Sequence, residues 1–192
     1  MKKVAFIVSH LGSGSYALLN ILNKNSRCNF FESKTQYTHP EDIRWMFNFE
    51  KLKNYSGSVF GDHLLHNVSF QCKALYKYCK FIYLIRPPRQ VFSQIPGTKK
   101  MINYYRFRLR RICEMAKNTP SGLFLTYDDL HKEETYSIIE NYLGLKEKLE
   151  ILSFDNNSQI ENQINESLMI KIEDCYERYY YYMNNLKLKR AW

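Results

Sequence analysis

The chain has 192 residues, 45% of them hydrophobic, which suits one domain with a substantial core and is too short for two comfortable ones. Its net charge of +9 directs attention to anionic partners: nucleic acid, an acidic membrane surface or a small polyanion. The five cysteines are odd in number, scattered and without a C-x-x-C pair, which argues against a disulfide framework or a zinc knuckle and for reduced intracellular thiols.

The apolar run after Met1-Lys2-Lys3 ends at His10, too short for a signal peptide or a membrane span, so a soluble cytoplasmic protein is expected. Val4–Ser9 reads as a buried strand that passes through Gly12-Ser13-Gly14-Ser15 into a helix over Ser15–Asn23, with Leu18, Leu19 and Leu22 at helical spacing. Pro40–Lys53 opens with a proline and acids, as a helix start does. Ser58–Phe60 is a short strand, and Phe70–Tyr78 a helix leading to a second buried strand, Phe81–Ile85. That strand stops at Arg86-Pro87-Pro88, and a helix starts from Pro88. Lys99–Lys117 reads as a longer helix ended near Pro120, and Gly122–Thr126 as a third strand. Asp129–Tyr142 is helical with Gly144 as its stop, Asp155–Glu161 is a polar loop, and Glu166–Leu186 is a last, Tyr-rich helix. Strands alternating with helices predict a three-layer α/β domain over residues 1–192, with a mainly parallel central sheet flanked by helices.

In such a sheet ligands bind beyond the carboxyl ends of the strands, and three of these strands end in polar or charged residues. A strand, a small-residue turn and a helix start place free backbone N–H groups around one point, which suits a phosphate or sulfate. The turn lacks the Lys of G-x-x-x-x-G-K-[ST], so ordinary ATP or GTP hydrolysis is not the first reading. Arg86, followed by Arg89, Ser93 and Gln94, suits a phosphate clamp or a solvated surface arginine. Tyr127 suits either contact with a base or a lid over the core.

Taken in order, these segments resemble the sulfotransferase family that uses 3′-phosphoadenosine-5′-phosphosulfate (PAPS). Ser13-Gly14-Ser15 after the first strand is similar to the family's Lys/Arg-Ser-Gly-Thr/Ser loop, and Phe81 to Ser93 is similar to its apolar strand running into Arg-x-Pro-Arg and a helix. Tyr127-Asp128-Asp129-Leu130 resembles its Tyr-Glu-Asp-Leu. The resemblance covers Val4 to about Leu145 with gaps, and implies a P-loop-like fold. It also implies a role for each matched residue. Gly12, Ser13, Gly14, Ser15 and Tyr16 would hold the 5′-phosphosulfate, Arg86 and Ser93 the 3′-phosphate, and Tyr127 would border adenine. The catalytic base would be His63, in Gly61-Asp62-His63-Leu64, 23 residues before Arg86; Asp62 and His66 are the other candidates.

The chain departs from the family pattern in two places. Gly12 stands where a Lys or Arg is expected, leaving His10, Lys34, Lys99 or Lys100 to supply a cation. Gln94 stands where the helix Ser is expected, with Ser93 one residue earlier, and Ser93 is the expected phosphate ligand. The segment Tyr104–Arg111 (YYRFRLRR) has three readings: a solvated helix face, a nucleic-acid surface, or the mouth of the ligand site. The expected reaction is sulfuryl transfer from PAPS, leaving PAP, to an acceptor hydroxyl or amine, with small-molecule, carbohydrate and peptide acceptors all open, no metal and no integral membrane contact. The alternatives are a non-catalytic nucleotide- or nucleic-acid-binding protein and a P-loop-like nucleotide phosphotransferase.

Overall fold

The computed structural model describes residues 3–31, 58–64, 79–119, 121–151, 164–186 and 189–190. The helices expected over Pro40–Lys53 and Phe70–Tyr78 and the loop expected over Asp155–Glu161 lie outside those residues. In chain order the elements are β1 (Lys3–Ser9), α1 (Ser15–Lys24), β2 (Cys28–Phe31), β3 (Val59–Leu64), β4 (Cys79–Ile85), α2 (Pro88–Phe92) and α3 (Lys99–Lys117). After these come β5 (Gly122–Thr126), a 3-10 turn (Tyr127–His131), α4 (Glu133–Leu143), α5 (Glu166–Asn184) and β6 (Lys189–Arg190).

The strands form one sheet in the order β2-β3-β1-β4-β5-β6, with every pairing parallel. Strand β1 is central: Ala5 pairs with Gly61 on one side and Lys80 on the other. Parallel strands covered on both faces read as unbroken apolar runs, and β1 and β4 do so. Their alternate residues supply two cores. Val4, Phe6, Val8, Phe81, Tyr83 and Ile85 pack with α3 and α5, while Ala5, Ile7, Ile82 and Leu84 pack with α1 and α4. The result is a three-layer α/β fold with a parallel central sheet flanked by helices, as the alternation of elements predicts.

Helix α1 therefore covers one face of the sheet and α3 the other, although they follow the neighbouring strands β1 and β4. The connections diverge between β1 and β4, and such a switch point leaves a crevice at the carboxyl ends of the two strands.

The predicted strand β5 and helix α3 agree residue for residue with the structure. Other elements differ. Strand β3 runs on to Leu64 where the sequence suggests a stop at Phe60, and neither β2 nor β6 was expected. The helix predicted over Asp129–Tyr142 is broken at Lys132, whose backbone is extended (φ −100°, ψ 128°). The cause is local: the Asp129 carboxylate accepts from the Thr126 amide and hydroxyl, both at 2.8 Å, and closes a short capped turn before α4 begins.

Cys28 on β2, Cys79 on β4 and Cys113 on α3 are buried free thiols, and burial pushes each of them up to about 12.

Candidate functional site

The chain leaves β1 through a tight turn in which the Ser13 amide donates to the His10 carbonyl at 3.2 Å. Gly12 (φ +75°) and Gly14 (φ +86°) both hold left-handed backbone, which only glycine adopts cheaply. Gly14 is doubly constrained, because a Cβ there would stand 2.6 Å from the ring of Tyr127. The turn delivers the chain into α1, with the Ala17 and Leu18 amides returning to the Gly14 carbonyl. Ser13 and Ser15 are buried, and the Ser13 hydroxyl donates to that of Ser15 at 3.0 Å. The amides of Gly12 and Gly14 make no hydrogen bond to the described residues. A short loop with amides to spare at a helix N-terminus is built to receive an anion.

Beside this loop the carboxyl end of β4 is pinned by two rings. Nε2 of His10 accepts the Arg86 amide at 3.0 Å, and the Tyr105 hydroxyl donates to the Arg86 carbonyl at 2.7 Å. The His10 ring meets that of Tyr105 edge-on. Nδ1 of His10 donates to the Leu11 carbonyl at 2.8 Å, so both ring nitrogens are engaged and the imidazole is neutral. Burial pulls its pKa down to about 4. His10 is thus not the missing loop cation.

The side chain of Arg86 turns back over the loop. Its Nη1 donates to the Gly12 carbonyl at 3.1 Å and to Oε1 of Gln94 at 2.7 Å, while Nε donates to Gln90 at 3.2 Å. The guanidinium lies 3.5 Å from the centroid of the Tyr127 ring. Residues widely separated in sequence thereby converge on one side of the loop: Gly12, Gly14, Arg86, Gln94 and Tyr127.

Gln94 and not Ser93 takes the place beside Arg86. Helix α2 ends at Phe92, and the Ser93 hydroxyl is turned onto its own helix, donating to the Gln90 carbonyl at 2.9 Å. Arg89 also points elsewhere. It is held in an exposed double pair with Glu166 and Glu173 of α5. Tyr127 is buried, with the Arg86 guanidinium on its face and the His131 ring edge-on, so its place is between the arginine and Gly14.

On the other side of β1, His63 lies at the carboxyl end of β3, opposite Ile7. Its Nε2 is 2.9 Å from the Ser9 hydroxyl, and the edge of Tyr16 stands against its ring. His63 is buried at 4% exposure, and Asp62 accepts the His63 amide through Oδ1 at 2.6 Å. That bond uses Asp62 to shape the strand end. His66 and Lys34 lie outside the described residues, and Lys99 and Lys100 are exposed on the first turn of α3.

The segment Tyr104–Arg111 is two-faced. Arg106, Phe107, Arg110 and Arg111 are exposed, and Arg110 and Arg111 pair with Glu114. Arg108, in contrast, is wholly buried and its Nε donates to the Ser9 carbonyl at 2.8 Å. Tyr104 accepts the Leu11 amide at 3.2 Å. Composition suggests a uniform basic face, whereas the helical period separates the arginines: Tyr105, Arg108, Leu109 and Ile112 stand at i, i+3, i+4 and i+7 and form the buried stripe. Among the described residues there is no cluster of His, Cys, Asp or Glu able to hold a metal, and no helix long and apolar enough to cross a membrane.

No protein-family profile matches the chain, and no curated protein is similar to it in sequence. Among solved structures it is similar to mouse sulfotransferase SULT7A1 complexed with PAP, with a TM-score of 0.47 and 18% sequence identity. The likeness covers 90% of this chain and 63% of that one, so the chain spans less than two thirds of its neighbour's length.

Proposed function

We propose that the protein transfers a sulfuryl group from PAPS to a hydroxyl or amine of a small-molecule or carbohydrate acceptor in the cytoplasm. The observation that carries this reading is the meeting of Arg86 with the Gly12 carbonyl and the Tyr127 ring, because it gathers the three sequence segments of the expected donor site on one loop. The Gly12 and Gly14 amides and the hydroxyls of Ser13 and Ser15 suit the 5′-phosphosulfate, with Tyr16 at the helix start. Arg86 and Gln94 suit the 3′-phosphate, Arg86 exchanging the Gly12 carbonyl and Gln94 for phosphate oxygens. Tyr127 borders the nucleotide from behind Arg86.

In the reaction the acceptor oxygen or nitrogen attacks sulfur in line. A new bond to sulfur forms as the bond from sulfur to the 5′-phosphate oxygen breaks, and PAP leaves with the electron pair. The acceptor proton passes to His63, which Ser9 holds at the same edge of the sheet through Nε2. Calorimetry with PAP, ATP and a short single-stranded oligonucleotide tests the donor site. Preferred binding of PAP that is lost in Arg86→Ala supports it, and absence of PAP binding sinks it. Transfer from labelled PAPS that is undiminished in His63→Ala removes His63 from the mechanism.

The burial of His63 and the glycine at position 12 favour one second reading, a protein that binds the nucleotide and does not turn it over. PAP binding with no transfer to any acceptor selects it.

A further inference from the structure

We propose that Arg108, from behind the end of β1, supplies the positive charge that the loop Gly12–Ser15 lacks, and acts as a positioning residue for an anion held there. The inference rests on the transferase reading only for the ligand's identity, since its substance is a phosphate- or sulfate-type anion at this loop.

Four observations carry it. Arg108 is a fully buried side chain on a helix whose neighbouring arginines are exposed, and a buried charge is retained at a cost that Leu or Met at the same place would avoid. Its Nε holds the carbonyl of Ser9, the last residue of β1, at 2.8 Å. The hydroxyl of the same Ser9 holds His63, so one guanidinium tethers the residue between the loop and the proposed base. Lastly, its field reaches the start of the loop: Arg108 and Arg86 both oppose protonation of His10. Arg108 remains charged at neutral pH, since burial lowers its pKa only to about 10. In so dry a setting a fixed charge is weakly screened and acts beyond the groups it touches.

Position 12 itself is a poor place for a cation. A Cβ at Gly12 would stand 3.1 Å from Cγ1 of Val91 with the backbone at φ +75°. A charge carried by α3 reaches the loop without disturbing that turn.

The test uses the full chain and three substitutions: Arg108→Gln, which can still donate to the Ser9 carbonyl without charge, Arg108→Met, and Arg108→Lys. Each is titrated by calorimetry with inorganic pyrophosphate and with PAP, alongside circular dichroism and melting. Pyrophosphate binding is expected to weaken by about tenfold or more in the Gln and Met variants and to stay within about threefold of wild type in Lys. Undiminished binding in Arg108→Gln shows a hydrogen bond alone and overturns the proposal. So does a folded Arg108→Lys that binds as weakly as Gln, or a wild type that binds no pyrophosphate. If Arg108→Met does not fold, the Gln and Lys pair decides. A wild type that binds pyrophosphate but not PAP ends the sulfotransferase reading and leaves Arg108 to be judged by the same variants.

Discussion

Nε2 of His10 accepts the backbone amide of Arg86, 76 residues away, and so ties the ends of the two strands that frame the candidate site. The bond requires a neutral ring. In the folded protein the His10 pKa is pulled down to about 4, while in the unfolded chain it is near the ordinary 6.5. Between those values the unfolded state binds more protons, so stability rises with pH across this window and is fully present above it. The linkage amounts to about 3 kcal/mol lost as pH falls from 6.5 through 4. Urea unfolding of wild type and His10→Gln across this range checks it, because the substitution is expected to flatten the slope.

At the clamp, Arg86→Ala is expected to weaken PAP binding by about 100-fold, the worth of charge-assisted bonds to a phosphate. Gln94→Ala should weaken it about fivefold by removing one of the two side chains assigned to the phosphate. Ser93→Ala and Arg89→Ala should stay within about twofold, since neither side chain faces the loop. Calorimetry on the four variants ranks them, and a large loss in Ser93→Ala would show that α2 rearranges when ligand binds.

Gly14→Ala combines a strained backbone with a Cβ 2.6 Å from the ring of Tyr127, so it is expected to destabilise the fold by about 2–4 kcal/mol. Gly12→Ala meets only the Val91 methyl at 3.1 Å and should cost about 1–2 kcal/mol. Denaturant midpoints of the two variants give the comparison. Equal losses would mean that the Tyr127 ring yields without cost.

Away from the site, the buried hydroxyl of Tyr142 on α4 accepts the Phe81 amide at 2.9 Å and donates toward the carbonyls of Phe81 and Ser121 at 3.2 and 3.1 Å. Tyr142→Phe removes these buried hydrogen bonds and should cost about 1–3 kcal/mol without altering ligand binding. Unfolding measurements and PAP titration together test both halves of that statement.

The sequence made much of the frame legible because parallel strands buried on both faces carry uninterrupted apolar runs, as at Val4–Ser9 and Phe81–Ile85. Cys28–Phe31 and Lys189–Arg190 pair only once the sheet exists, and their four and two residues are too few for a periodicity. At the site, Gly12, Gly14, Arg86 and Tyr127 could be placed together because each follows a strand end. The facing of Ser93 and Gln94 could not, because it depends on where a five-residue helix stops. Arg108 escaped a reading by charge: it belongs to the interior by helical spacing and to the surface by composition, and the spacing prevailed.

The buried thiols have a use of their own. Alkylating and disulfide reagents react with the thiolate, and burial all but abolishes that form in Cys28, Cys79 and Cys113. Each can be labelled only when its surroundings open, one reporting the β2 edge, one the strand beside β1, and one the helix that carries Arg108. Cys175, on α5 and partly exposed, should be modified ahead of them. The order in which the thiols react would therefore chart which parts of the molecule breathe, and whether a ligand at the loop quiets them, with no cysteine introduced by mutation.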